Sequence, residues 1–225
     1  MVSTSIARQS LDLDISLQIA FAKRGRIHVP VFSKLRKVAA AQAIDKAARA
    51  AEEFDVFLAG PYIITAEPAS SAVNDANDAS RLRYFLYHSL VARGHTIYLG
   101  EDTELRQTGD AQYGAYNNAV LYERHYIKNH SDALITLPSS PGSFCEIGDW
   151  VSQRSLCEDM LILIDKQYEG KINYINEGVV KFAKTNHATV YYHSYADKDG
   201  VLGICDTFME SVAAKIRIEK LYERA

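Results

Sequence analysis

At 225 residues, with 48% hydrophobic and 24% charged side chains, the chain can bury a proper core and has an ordinary globular composition, so disorder is not its default state. No apolar run approaches the roughly 20 residues that cross a bilayer, and residues 1–16 lack the apolar segment of an export signal. The expected compartment is therefore the cytoplasm, with no membrane partner.

The net charge of −3 is unevenly spread: residues 1–54 carry nine Lys/Arg against five Asp/Glu, and the rest carries sixteen against twenty-three. Residues 5–24 space Leu13, Leu17, Ile19 and Phe21 as a short amphipathic helix, Gly25 and Pro30 interrupt it, and Ser33 opens an Ala/Lys/Arg/Glu-rich run that predicts a second helix. This basic helical extension, residues 1–54, suits a protein or nucleic-acid regulator; a solvated helix packed on an acidic body explains the same charge.

From Asp55 the pattern alternates. Short apolar runs predict strands at 56–59, 95–99, 133–137, 160–164 and 188–192. Helices are predicted from Asp78, as cap, to Gly94, then at about 112–128, after Pro141, at 173–184 and at 201–223, with the polar stretch LGEDTELRQTGD between Leu99 and Asp110 read as a loop. Strands separated by helices imply parallel β-α-β units, hence a doubly wound α/β domain over 55–225 with a mostly parallel five-stranded sheet of the Rossmann or flavodoxin-like kind.

Within this domain the stretch DALITLPSSPGSFCEIGDW, Asp132 to Trp150, places a buried strand, a loop of small residues and a helix start in succession. At such a junction ligands bind, and free N–H groups of the helix's first turn attract phosphate. Glu146 lies in about the first turn of that helix, where an acidic residue is also common for capping reasons alone. No GxGxxG, GxxxxGK[ST] or HExxH is present, so dinucleotide hydride transfer, P-loop chemistry and zincin hydrolysis lack their signatures. Cys145, Cys157 and Cys205 show no CxxC spacing, and neither a disulfide framework nor a metal site is expected.

Three stretches in order, DVFLAGPY (Asp55 to Tyr62), YERHYIKNHSDALITLP (Tyr122 to Pro138) and PGSFCEIGDW (Pro141 to Trp150), resemble the nucleoside 2-deoxyribosyltransferase family. The likeness spans about residues 55–195. It is nearest to the deoxyribosyltransferase-like effectors of bacterial retrons in phage defence, which carry a similar SPGSF.E.G segment and a passage resembling KINYINEG, Lys171 to Gly178.

The resemblance implies that Glu146 attacks the anomeric carbon of a sugar and that Glu123, by position, is the second acidic group. It places Gly60, Pro61 and Tyr62 and the loop residues Ser140, Pro141, Gly142 and Ser143 against the substrate. It also implies a homo-oligomer, and no cofactor, with NAD as a possible substrate. Two departures argue against base exchange between free nucleosides: Val56 or Phe57 stands where the family usually has a tyrosine, and Ser139 or Ser140 where it has an aspartate. The Ser/Pro/Gly loop instead suits a phosphate held by backbone N–H groups and the hydroxyls of Ser140 and Ser143, hence a nucleotide or NAD; Arg81 and Arg83 are candidates for added charge. The expected function is a toxic N-glycosidase; a nucleotide sensor without turnover and a true transferase are the alternatives. A phosphoribohydrolase is not indicated, because its PGGxGTxxE pattern is not matched by PSSPGSFCE.

Overall fold

The computed structural model describes residues 52–222, and the two helices expected before Asp55 lie outside the described residues. Five strands, β1 (Asp55–Ala59), β2 (Thr96–Tyr98), β3 (Ala133–Thr136), β4 (Met160–Asp165) and β5 (Thr189–His193), form one all-parallel sheet in the order β2-β1-β3-β4-β5. β3 is buried along its whole length, as are β1 and β4 apart from one end residue each, which is why their sequences are apolar without alternation.

Successive side chains still point to opposite faces. Val56, Leu58 and Ile135 join a core with Leu82, Leu86 and Leu90 of α1 (Asp78–Ala92) and with Val201, Phe208 and Val212 of α7 (Lys198–Tyr222). Phe57, Leu134 and Ile162 face a second core, closed by α2 (Thr103–Tyr113), α3 (Ala119–His130), α4 (Pro141–Trp150), α5 (Arg154–Cys157) and α6 (Lys181–Thr185). The chain winds outward from β1 to β2 in one direction and from β3 through β5 in the other. The reversal falls between β1 and β3, and the region outside the carboxyl ends of strands at such a reversal is where open α/β sheets bind ligands.

The doubly wound α/β fold is as expected, with local differences. Asn77, not Asp78, caps α1, its side chain accepting the Ser80 N–H at 2.9 Å. The stretch read as a polar loop is mostly α2, and a 3₁₀ turn (Gly114–Tyr116) separates it from α3. Hydrophobic periodicity missed α2 because it buries only Leu105 and Gly109. Before α6 the chain makes a π-helical turn, Ile175–Val180. The Asn176 amide there donates to the carbonyls of Tyr168 (2.7 Å) and Lys171 (2.6 Å) and accepts the Tyr192 hydroxyl, tying the KINYINEG segment to β5.

Candidate active site

Three carboxylates and one guanidinium meet at the carboxyl edge of the sheet beside the β1/β3 reversal. Glu146 sits one and a half turns into α4, which springs from β3 through the Pro138–Ser140 loop. Glu123 projects from α3, whose Tyr122, Tyr126 and Ile127 anchor it on the second core. This helical phase turns Glu123 inward, leaving it 8% exposed. Its carboxylate lies against Gly100 at the end of β2: a Cβ added there would stand 2.6 Å from Glu123 Oε1. The two helices are tied side by side by an ion pair between Arg124, next to Glu123, and Asp149, three residues beyond Glu146, with Arg124 Nε 3.1 Å from Asp149 Oδ2.

Sequence reasoning missed Glu101, and Arg83 was considered only as a helper for phosphate. Arg83 is 1% exposed, and its N–H groups are all committed inside the chain. Nε and Nη2 donate to the Leu58 carbonyl (3.2 and 2.7 Å) and Nη1 to the Pro61 carbonyl (2.8 Å), while Nη1 and Nη2 grip the two oxygens of Glu101 (2.7 and 3.0 Å). Glu101 Oε1 also accepts the Ile63 N–H at 3.3 Å. The GPY turn is thus built around this ion pair. Gly60 is needed there because a Cβ would meet Arg83 Cδ and the Leu137 carbonyl, both at 3.2 Å. Pro61 lends its carbonyl, and Tyr62 is 60% exposed at the rim. The only signal for Arg83 was a charged residue on the apolar face of α1, one position after Leu82.

The carboxylates differ from this pair in having no donor. Among the described residues neither Glu123 nor Glu146 accepts a hydrogen bond. Burial first, then the neighbouring Glu146 and Glu101 charges, push the Glu123 carboxyl up to about 8, against a smaller opposing effect of Arg83. Glu146 is also raised, by burial and Glu101, and here Arg83 is the main opposing influence. The Thr136 hydroxyl, at the end of β3 and fully buried, also lacks a partner.

The serine loop differs from expectation. Ser143 is buried, and its Oγ accepts the N–H groups of Ser139 and Ser140 (both 3.0 Å) while donating to the Ser140 carbonyl (2.9 Å). Ser140 Oγ accepts the Ser143 N–H at 3.3 Å, closing a capping box, and the Phe144 N–H returns to the Ser140 carbonyl. Both hydroxyls and four of the loop's amides are therefore engaged within the chain. The Gly142 N–H remains open, with Pro141 and Gly142 exposed beside it. Beneath the loop, the buried Tyr195 hydroxyl donates to the Leu163 carbonyl (2.6 Å) and lies 3.2 Å from that of Pro138. Cys145 is exposed on α4, and Cys157 and Cys205 are buried. No group of three or more His, Cys, Asp or Glu side chains among the described residues is arranged to hold a metal ion.

Fold and site together define a doubly wound α/β protein with a buried carboxylate, Glu123, and a half-buried one, Glu146, beside its switch point. Residues 79–224 match the STM3845 retron effector protein family, and the chain belongs to that family. The Escherichia coli protein named "Retron Ec86 putative ribosyltransferase/DNA-binding protein" is 28% identical to this chain over 112 residues. The match covers 49% of this chain and 35% of that protein, so it spans about a third of the relative's length. No described helix is long and apolar enough to cross a membrane.

Proposed function

We propose that the chain is an N-glycosidase that cuts the base–sugar bond of a nucleotide or of NAD and acts as a toxic effector in retron phage defence. The observation that carries this reading is the pair Glu123 and Glu146: one buried and one half-buried carboxyl beside the β1/β3 reversal, electrostatically coupled and accepting no hydrogen bond among the described residues. Membership of a retron effector family and a relative named for ribosyl transfer support the same class of chemistry.

Glu146, opposed in its protonation by Arg83, is the better anion and the nucleophile. As the bond from C1′ to the base nitrogen breaks, its carboxylate bonds to C1′ and neutralises the developing oxocarbenium character. Glu123, protonated below about pH 8, gives its proton to a neutral leaving base; a cationic nicotinamide departs without one. Water then attacks C1′ and the C1′–Glu146 bond breaks, restoring the free Glu146 carboxylate and releasing the sugar product; the water's proton goes to the Glu123 carboxylate left by protonating a neutral base, or to solvent where nicotinamide departed and Glu123 kept its proton. With the serine hydroxyls committed to the capping box, a substrate phosphate would rest on the Gly142 N–H and the exposed edge of the loop. The basic residues 1–54 are the proposed contact for a nucleic-acid or protein regulator, and self-association is proposed from the family resemblance.

The test is chromatography of NAD, NADP, ribonucleotides and deoxynucleotides after incubation with the full chain and with Glu146→Gln. Base release by the unmodified chain alone supports the reading; release by both variants overturns the role of Glu146. Release by neither, with the panel still stabilising the fold, would favour a nucleotide sensor.

A further inference from the structure

We propose that Arg124 and Asp149 are positioning residues, an interhelical clamp that sets the spacing of the Glu123 and Glu146 carboxyls. The functional meaning of that spacing rests on the N-glycosidase reading, while the spacing itself can be tested without turnover.

The contact is direct. Arg124 Nε donates to Asp149 Oδ2 at 3.1 Å and Arg124 Nη2 donates to Asp149 Oδ1, so the guanidinium grips both carboxylate oxygens. A two-point grip fixes orientation as well as distance, which the point charge of a lysine does not. Arg124 follows Glu123 on α3, and Asp149 lies one turn beyond Glu146 on the same side of α4, because residues three apart on a helix are neighbours. α3 ends where β3 begins and α4 begins where β3 ends, so the two helices run parallel, both away from the carboxyl edge. The clamp therefore sits just below the two acids, joining the helices that carry them.

Apolar packing does not supply the same restraint. Tyr122, Tyr126 and Ile127 seat α3 on the second core, and Ile147 and Trp150 seat α4 there. Such contacts hold each helix against the sheet but are non-directional, whereas the ion pair resists a slide of one helix along the other. With side chains 33% and 30% exposed, the pair adds little to stability; its directional grip is what the site uses. Spacing matters to the chemistry, since a carboxylate that bonds to C1′ and its partner acid work at a separation of about 5 Å, and direct attack by water needs about 6.5–9.5 Å. A slide of one or two residues, at about 1.5 Å each, is enough to move the acids out of the first range.

The experiment is a ¹³C-detected carboxyl titration of the full chain with and without the neutral replacement Arg124→Gln/Asp149→Asn, each measured with and without Glu146→Gln. The replacement leaves the net charge unchanged, and Arg83 and Glu101 act on the Glu123 carboxyl in every variant and cancel. With the clamp in place, Glu146→Gln should lower the Glu123 midpoint by about one pH unit, the effect of removing a close like charge, and without the clamp that fall should shrink by roughly half or more. An equal fall in both backgrounds overturns the clamp. In base release, Arg124→Gln, Asp149→Asn and the double replacement should each lower kcat roughly ten- to hundredfold, with KM nearly unchanged and melting within a few degrees of the unmodified chain. The double replacement should lose no more than the worse single one, because both break one contact; losses that multiply also overturn the clamp. A weakened Glu123–Glu146 coupling with no base release from any panel member would retain the clamp and remove the enzyme reading.

Discussion

Two polar regions lie at the carboxyl edge of the sheet, and they treat their polar atoms in opposite ways. In the loop from Ser139 to Phe144 both serine hydroxyls and the N–H groups of Ser139, Ser140, Ser143 and Phe144 find partners in the same loop. Nearby, Glu123 is withdrawn from water and Glu146 half withdrawn, and neither accepts a hydrogen bond among the described residues. A satisfied buried polar group stabilises the fold, whereas an unsatisfied buried acid destabilises it unless a ligand or a shared proton compensates. The loop's polar groups therefore stabilise the start of α4, whereas the two carboxylates, which the proposed reaction uses, have no such partners among the described residues.

The sharpest way to break this contrast is Glu146→Gln, which keeps the side chain's size and removes its charge. Base release should fall by at least about a thousandfold, with the thermal transition unchanged or raised; activity near the unmodified level would dismantle the mechanism. Next, Glu123→Gln should slow release of a neutral base by roughly a hundredfold or more and abolish the fall in rate near pH 8. Its stability consequence has a definite sign. The folded Glu123 carboxyl titrates near 8 and an unfolded one near 4.5, so folding takes up a proton between these values and stability falls as pH rises through that window. The variant should therefore lose that dependence, melting higher than the unmodified chain at pH 8.5 and about equally at pH 4. Equal melting curves at both pH values would show that the acid is not held protonated.

A smaller perturbation tests position alone. Gly100→Ala places a Cβ 2.6 Å from Glu123 Oε1 and must displace the carboxylate, with an expected ten- to hundredfold loss of turnover from a shift of that order and little change in melting temperature. The smallest effect is expected from the scaffold side. Ser140→Ala removes the α4 cap at a cost of about 1 kcal/mol, seen as a drop of a few degrees in melting temperature, with the pH–rate profile unmoved. A selective loss of affinity for phosphorylated ligands in this variant would return the serine loop to the binding site and erase the contrast.

The strands and their order of appearance could be read along the chain because β1, β3 and β4 are buried on both faces and so are apolar without interruption. The turn from β3 into α4 was equally legible, since Pro, Gly and Ser leave few alternatives to a loop and a capped helix start, and it carried Glu146 into view. These are local signals, set by neighbours a few residues away. Other features rest on contacts between distant segments. Glu123 reads as a solvated helix acid until the packing of Tyr122, Tyr126 and Ile127 turns it inward against Gly100. Arg83 and Glu101 lie 18 residues apart, on a helix and in a loop that share no motif, and β1's end brings them together. The hydroxyls of Ser140 and Ser143 bond to each other because their three-residue spacing is that of a helix-capping box. Local pattern reveals where a chain can turn and what it can bury; which charges then meet, and which remain unanswered, depends on the folded arrangement that brings them within reach.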